Sequence, residues 1–379
     1  MPSSPVPGSA PVPGSTVPGS AAVPSSPVPG SAAVPGSAAA TTSPATTSDA
    51  ASTSPATATT APTARPTTSP WLGRALVANL VLEVTIVVTG GLVRLTGSGL
   101  GCPTWPECVP GSFTPVPYQE QGFHKIVEFG NRTLTGVVAV AAVLVIVAVW
   151  VLAPHRRGLR RICVLPLFGV LLQAVLGGVT VLTGLSPATV SAHFLASMVL
   201  VALSAYLLHR VREGDGTSQP LVRNEIRAVA YVTSALGALV LALGTVVTGS
   251  GPHSGDPSTP RFGFDPRTIA WLHADAVMLF TGLVVAVWLA VRLTTPDERP
   301  RRAWLAVLAV TLAQGLVGYT QYLTGLPEVL VLGHLLGASL LVVTLTRGVL
   351  SLRTRAWVGV SAGPAGARAG RAPRRGTAR

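Results

Sequence analysis

Apolar residues run along most of this chain in stretches of about 20, the length that spans a bilayer core. The stretches fall near 72–95, 126–152, 161–184, 189–210, 225–249, 268–292, 302–325 and 329–351. The pattern predicts an all-α integral membrane protein with eight transmembrane helices. The connections "APHRRGLRR" (153–161), "HRVREGDGTSQPLVRNEIR" (209–227) and "RLTTPDERPRR" (292–302) hold the arginine clusters. Cationic loops stay on the cytoplasmic side, so these connections and both termini are expected there, and the other loops outside the cell membrane.

The spans repeat. "QAVLGGVTVLTGLSPATVSAHF" (173–194) aligns with "QGLVGYTQYLTGLPEVLVLGHL" (314–335) at a constant offset of 141, which pairs Gln173 with Gln314, Gly177 with Gly318 and His193 with His334. Upstream, "TGSG" at 96–99 recurs at 248–251. Two tandem pseudo-symmetric four-helix bundles follow, 71–211 and 212–352. An even number of spans in each gives both copies one orientation, as in parallel-repeat transporters.

Composition agrees with a lipid environment: of 379 residues, 48% are hydrophobic and 11% charged. The net charge of +13 lies mainly in loops and the C-terminal tail, where it reads as a topology signal, and no nucleic-acid partner is expected. Residues 1–70, almost all Pro, Ala, Ser, Thr, Gly and Val with a recurring "VPGS", read as a disordered tail without the charged start of a cleaved signal peptide. Residues 353–379 form a second, Arg-rich disordered tail with weak attraction for anionic lipid as its one functional alternative.

Ionisable groups in lipid are costly unless paired or functional. His193, His273 and His334 all lie near the outer ends of spans, and His273 and His334 belong to one bundle. A lone membrane histidine more often hydrogen-bonds a neighbouring helix than binds a ligand. Repetition at matched positions makes a porphyrin site the better reading, because facing imidazoles in a four-helix bundle hold haem iron. Zinc is disfavoured for want of further N or S ligands. His155 and His209 read as solvated loop residues, and His253 lies in an outer loop.

The copies differ where the second span opens, at "HKIVEFGNRTLTGVV" (124–138). Asn131 stands opposite His273, and Glu128 opposite Ala270. His124, Glu128, Asn131 and Thr135 share a helix face, with Arg132 one turn beyond Glu128. A division of labour follows: a bis-histidine haem for electron transfer in the second bundle, and chemistry beside Glu128 in the first, with His193 as axial ligand. The plain alternative for Glu128 is an interfacial ion pair with Arg132 or Lys125. Arg94, Arg132 and Lys125 serve either as interfacial anchors or as partners for haem propionates.

The first outer loop, "TGSGLGCPTWPECVPGSF", is about ten residues longer than its counterpart. Its surplus carries Cys102 and Cys108, which can close a disulfide, structural or redox-active. Cys163 reads as a small buried apolar residue. Glu83 and Asp275 mark either a proton or water path or a buried interhelical hydrogen bond.

The runs "GGLVRLTGSGLGCPTWPEC", "VEFGNR" and "LTGLSPATVSAHF" with its repeat resemble the haem A synthase family, most closely its actinobacterial form, over about 75–351. That resemblance implies oxidation of the C8 methyl group of haem O to the formyl group of haem A, for cytochrome oxidase. It implies haem b on His273 and His334, haem O in the first half near His193, a catalytic Glu128, and the pair Cys102 and Cys108. Its implied partners are haem O synthase and cytochrome oxidase assembly factors, besides membrane lipid, and self-association stays open. The chain departs from the family at Asn131, where many members carry histidine, so His193 or His124 is left to bind the substrate iron. Competing readings are a quinol-linked di-haem b electron-transfer protein and a parallel-repeat transporter.

Overall fold

The computed structural model describes residues 69–356 apart from 254 and 257, so the expected tails lie outside the described residues except at their inner ends. The elements run α1 (Pro70–Leu95), α2 (His124–Leu152), α3 (Arg157–Ile162), α4 (Leu165–Leu182), α5 (Pro187–Arg210), β1 (Ser218–Pro220), α6 (Asn224–Ser250), α7 (Pro266–Thr294), α8 (Glu298–Leu323), α9 (Glu328–Ser351) and β2 (Arg353–Arg355). They supply eight spans long and apolar enough to cross a membrane, α3 and α4 together making the third. The break between those two falls at Cys163 and Val164, just before Pro166, whose missing N–H and ring suit the first turn of a new helix. Cys163 is buried there, as its apolar reading predicts.

The helices are apolar on every side, as membrane helices are and surface helices of soluble domains are not. On α2, Val138, Ala142, Val145 and Val149 form the buried stripe, while Val140, Leu144, Val147 and Val151 form an equally apolar exposed one. Helix starts follow local chemistry. Proline opens α1, α5 and α7, and Asp265 caps α7 by accepting the Thr268 N–H at 2.8 Å.

Helices α1, α2, α4 and α5 pack together, as do α6 to α9, and the two groups meet where α1 and α5 lie against α9 and α5 against α6. At the meeting, Leu80, Val87, Met198, Val201 and Ala205 form a buried cluster with Leu241, Val342 and Val343 from the second group.

Backbone detail repeats at the offset of 141 seen in the sequence. After α4 the chain passes through Gly184 (φ 61°) and Leu185 (φ 57°), and after α8 through Gly325 (φ 79°) and Leu326 (φ 61°). Glycine accepts the left-handed region freely, whereas leucine is strained there. In both copies a backbone bond from the leucine N–H holds the turn: Leu185 to the Thr180 carbonyl at 2.8 Å and Leu326 to the Gln321 carbonyl at 2.7 Å. The "LTGL" blocks are helix terminators used twice.

At the face where α2, α5 and α7 end, residues 353–355, which the sequence places in the C-terminal tail, form β2. This strand pairs antiparallel with β1 in the linker between the helix groups. Arg156, 2% exposed, donates to the carbonyls of Arg210, Val211 and Glu213 and makes two bonds to the Asp215 carboxylate, at 2.9 and 3.0 Å. These bonds hold Asp215 below the usual aspartate range. Burial pushes Glu213 upward, but its contacts with His209, Arg353 and Arg210 outweigh this and its carboxyl also ends below the usual range.

Because both carboxyls titrate lower in the folded chain, their stabilisation is complete above the ordinary carboxylate range and fades as pH falls through the lowered values. Thermal unfolding of detergent-purified protein against pH should show this acid limb. Asp215→Asn should flatten it, and Arg156→Ala should cost about 3 kcal/mol at neutral pH by leaving buried acceptors unpaired.

Candidate active site

The spans alternate in direction, so α2, α5, α7 and α9 all begin at the same face. Glu128, His193, His273 and His334 lie four, six, seven and six residues into them. At 1.5 Å per residue, each sits roughly 6–11 Å below that face. The residues singled out from sequence are thus collected at one depth.

Glu128 is buried, and both its oxygens are engaged. Oε1 accepts from Arg132 Nη2 at 2.7 Å and Nε at 3.1 Å, and Oε2 accepts the Cys102 N–H at 2.7 Å. The remaining Arg132 hydrogens go to the carbonyls of Cys102 at 2.7 Å, Thr104 at 3.0 Å and Glu107 at 3.3 Å. Cys102 and Cys108 form a disulfide. The ion pair therefore grips the peptide units on both sides of Cys102 and ties the disulfide loop to the first turns of α2. Gly101 is obligatory at this junction, since a Cβ there would collide with the backbone of His124 and Lys125.

The loop also reaches across to α4. Gly178 leaves room for the Trp105 ring, and the neighbouring Gly177 faces His193, with its missing Cβ placed 3.4 Å from His193 Cε1. Trp105 thus packs beside the turn of α4 that meets His193. The sequence offers no sign of this contact, because nothing local links residue 105 to residue 178.

His124 is turned to the loop between α1 and α2: its Nδ1 pairs with Ser98 Oγ at 2.8 Å, and its ring lies against Phe123. Asn131, the counterpart of His273, accepts from Thr89 Oγ1 at 2.8 Å and is thereby tied to α1. Arg94, considered as a propionate partner, gives Nη2 to the Thr248 carbonyl at 3.0 Å and Nε to the His253 carbonyl, bridging to the loop of the second helix group. His253 continues the bridge through Nε2 to the Leu326 carbonyl at 3.1 Å.

His193, His273 and His334 share a different environment. Each has a buried Nδ1 without a hydrogen-bond partner. Each ring also faces a glycine of the preceding helix, namely Gly177, Gly244 and Gly318, with Cε1 3.3–3.5 Å from where a Cβ would stand. His273 on α7 and His334 on α9 lie within electrostatic range of each other.

Of the remaining candidates, Asp275 is exposed on α7. Glu83 is buried at mid-span, where Asn79 Nδ2 donates to Glu83 Oε1 and to Ser204 Oγ, both at 3.0 Å.

The chain is a multi-pass helical membrane protein whose glycine-seated imidazoles and a clamped carboxylate gather toward one face. It belongs to the COX15-CtaA family of cytochrome oxidase assembly proteins, which it matches over residues 73–346. It is similar to the "Heme A synthase" of Symbiobacterium thermophilum, with 30% identity over 281 residues, 69% of this chain and 90% of the relative. It is also similar to the "Heme A synthase" of Lysinibacillus sphaericus, 26% identical over 290 residues, 72% of this chain and 91% of the relative. The protein of that name from Bacillus cereus is 25% identical over 273 residues, 69% of this chain and 86% of the relative.

Replacing Arg132 by Met should strand the buried Glu128 charge and release three loop carbonyls at once, costing about 3–5 kcal/mol. Limited proteolysis should then cut within 103–107 under conditions that spare the parent protein. Equal resistance of the two proteins would show that the disulfide alone holds the loop.

Proposed function

We propose that this protein is a haem A synthase, which oxidises the C8 methyl group of haem O to a formyl group for cytochrome oxidase. The observation that carries the proposal is that His273 and His334 stand at similar depth on two helices of one helix group, each with a buried Nδ1 that lacks a hydrogen-bond partner and each ring facing a glycine. Two imidazoles on facing helices, with small residues beside the rings, suit the donor set of a bis-histidine haem b.

In this reading residues 212–352 form the electron-transfer half and residues 71–211 the substrate half. Bound between His273 and His334, haem b would accept and pass on single electrons. Haem O would sit in the first half with His193 as the axial ligand supplied by this chain. Asn131 stands at the position matching His273 and its amide is already bonded to Thr89, so His193 is the residue that would hold the substrate iron.

Conversion of a methyl to a formyl group removes four electrons in two stages, each placing positive or radical character on a carbon attached to the ring. Glu128 answers that charge. Its oxygens accept hydrogen bonds from Arg132 and the Cys102 N–H, which fixes the carboxylate in place. A preorganised anion of this kind acts mainly by electrostatics, with proton acceptance as a second capacity. Arg132 and the Cys102 N–H set its position. The positive-inside rule would put the arginine-rich loops in the cytoplasm and the site face outward, and haem O synthase and oxidase assembly factors are the expected partners.

Glu128→Ala should leave haem bound but lower haem A formation by roughly 100-fold or more, as for loss of a preorganised electrostatic contact. Haem extraction from cells supplied with haem O would show haem O accumulating; normal haem A at equal expression would remove Glu128 from the reaction. His273→Ala and His334→Ala should each abolish a six-coordinate low-spin haem b spectrum. An unchanged spectrum would place the ligands elsewhere.

A further inference from the structure

Gln173 on α4 donates from Nε2 to the backbone carbonyl of His193 at 3.0 Å. At the equivalent place in the other helix group, Gln314 on α8 donates to the carbonyl of His334 at 2.9 Å. Four residues further along the same helices stand Gly177 and Gly318, and the rings of those same histidines lie against them. Residues four apart share a helix face, one turn of about 5.4 Å from each other. Each histidine is therefore met at two points by one face of its neighbour: the backbone is pinned by a glutamine and the imidazole is seated on a glycine.

A helical carbonyl already serves the N–H four residues on, so the glutamine uses its second lone pair and leaves the helix intact. A lone ring contact would let the ligand helix turn about its own axis. Adding a fixed backbone point on the same residue removes that freedom, and in apolar surroundings the bond is not in competition with water. The surroundings of the two glutamines confirm that space is reserved for them. Gly337, three residues beyond His334, leaves room for the Gln314 amide, which any Cβ would strike, and Gln173 Nε2 also contacts Ser197 Oγ.

His273 lacks this brace. It has its glycine, Gly244, but Val240 occupies the place four residues earlier, where a glutamine would stand. We propose that Gln173 and Gln314 are positioning residues that fix the rotation of the ligand-bearing helices α5 and α9, and so the imidazole planes of His193 and His334 toward their irons. This rests on the haem reading above. It adds that in the second half one ligand is braced through its backbone by a glutamine, whereas the other meets its neighbouring helix only at its ring, against Gly244 and the Val240 backbone.

The test uses the full-length protein carrying its haem b. Gln314→Met keeps most of the side-chain volume and removes the donor. It should retain haem b, because His334 is untouched, but shift the low-spin electron paramagnetic resonance signal. It should also move the haem b reduction equilibrium about threefold, half of the 59 mV that a one-electron tenfold change represents. Gly318→Val, which crowds the ring from the other point, should disturb the same two signals. In the first half, Gln173→Met should weaken haem O binding at least threefold while leaving the haem b signals unchanged.

Resonance signals and potential in Gln314→Met that coincide with those of the parent would overturn the proposal. If Gln314→Met does not accumulate, Gly318→Val decides, and parental signals there would overturn it equally. His334→Ala separates the two levels of the argument. A low-spin signal that survives His334→Ala defeats the haem reading itself. A signal lost in His334→Ala but unmoved in Gln314→Met defeats only the positioning role.

Discussion

A carboxylate surrounded by membrane helices has to be neutralised where it stands, and the way Glu128 meets that demand organises the face of the protein at which the candidate site lies. Arg132 lies one turn along the same helix, and the pair could have closed on itself. Instead the guanidinium reaches past the carboxylate to three carbonyls of the disulfide loop, and the carboxylate takes an N–H from the same loop. Desolvating two opposite charges is tolerable only when their remaining hydrogen-bonding positions are filled. Here a loop with little secondary structure of its own fills them. The loop is ordered because the charges need it, and the charges stay buried because the loop is there.

Much of the architecture was legible in the chain because lipid imposes a simple rule. Eight apolar stretches of sufficient length had to become helices, and their observed ends fall within a few residues of the pattern, except where Pro166 divides the third span into α3 and α4. The repeat was legible for a related reason. The "LTGL" blocks code a backbone conformation, a glycine and a leucine at positive φ, that appears in both places.

The site was legible in its residue types and less so in their connections. That His193, His273 and His334 lie at a common depth follows from helix direction. That Arg94 bonds carbonyls near residue 250, or that Trp105 packs on Gly178, does not, because such contacts depend on where an irregular loop presents its backbone. The same holds for β1 and β2. Three residues containing proline and arginine carry no alternation that would announce a strand, and their pairing joins parts of the chain far apart in sequence. The aligned glutamines are a repeat match in the sequence, but their contact with the histidine backbone depends on how the helices pack.

The β1–β2 ribbon has a consequence for how the molecule is made. Its first strand lies in the linker between the helix groups and its second follows the last span, so the linker strand has no partner until the entire second group has left the ribosome and entered the membrane. The two groups can each gather their helices as they are inserted. Residues 353–355 then close the chain on its own middle, so the paired halves are clasped together only after the last span is in place.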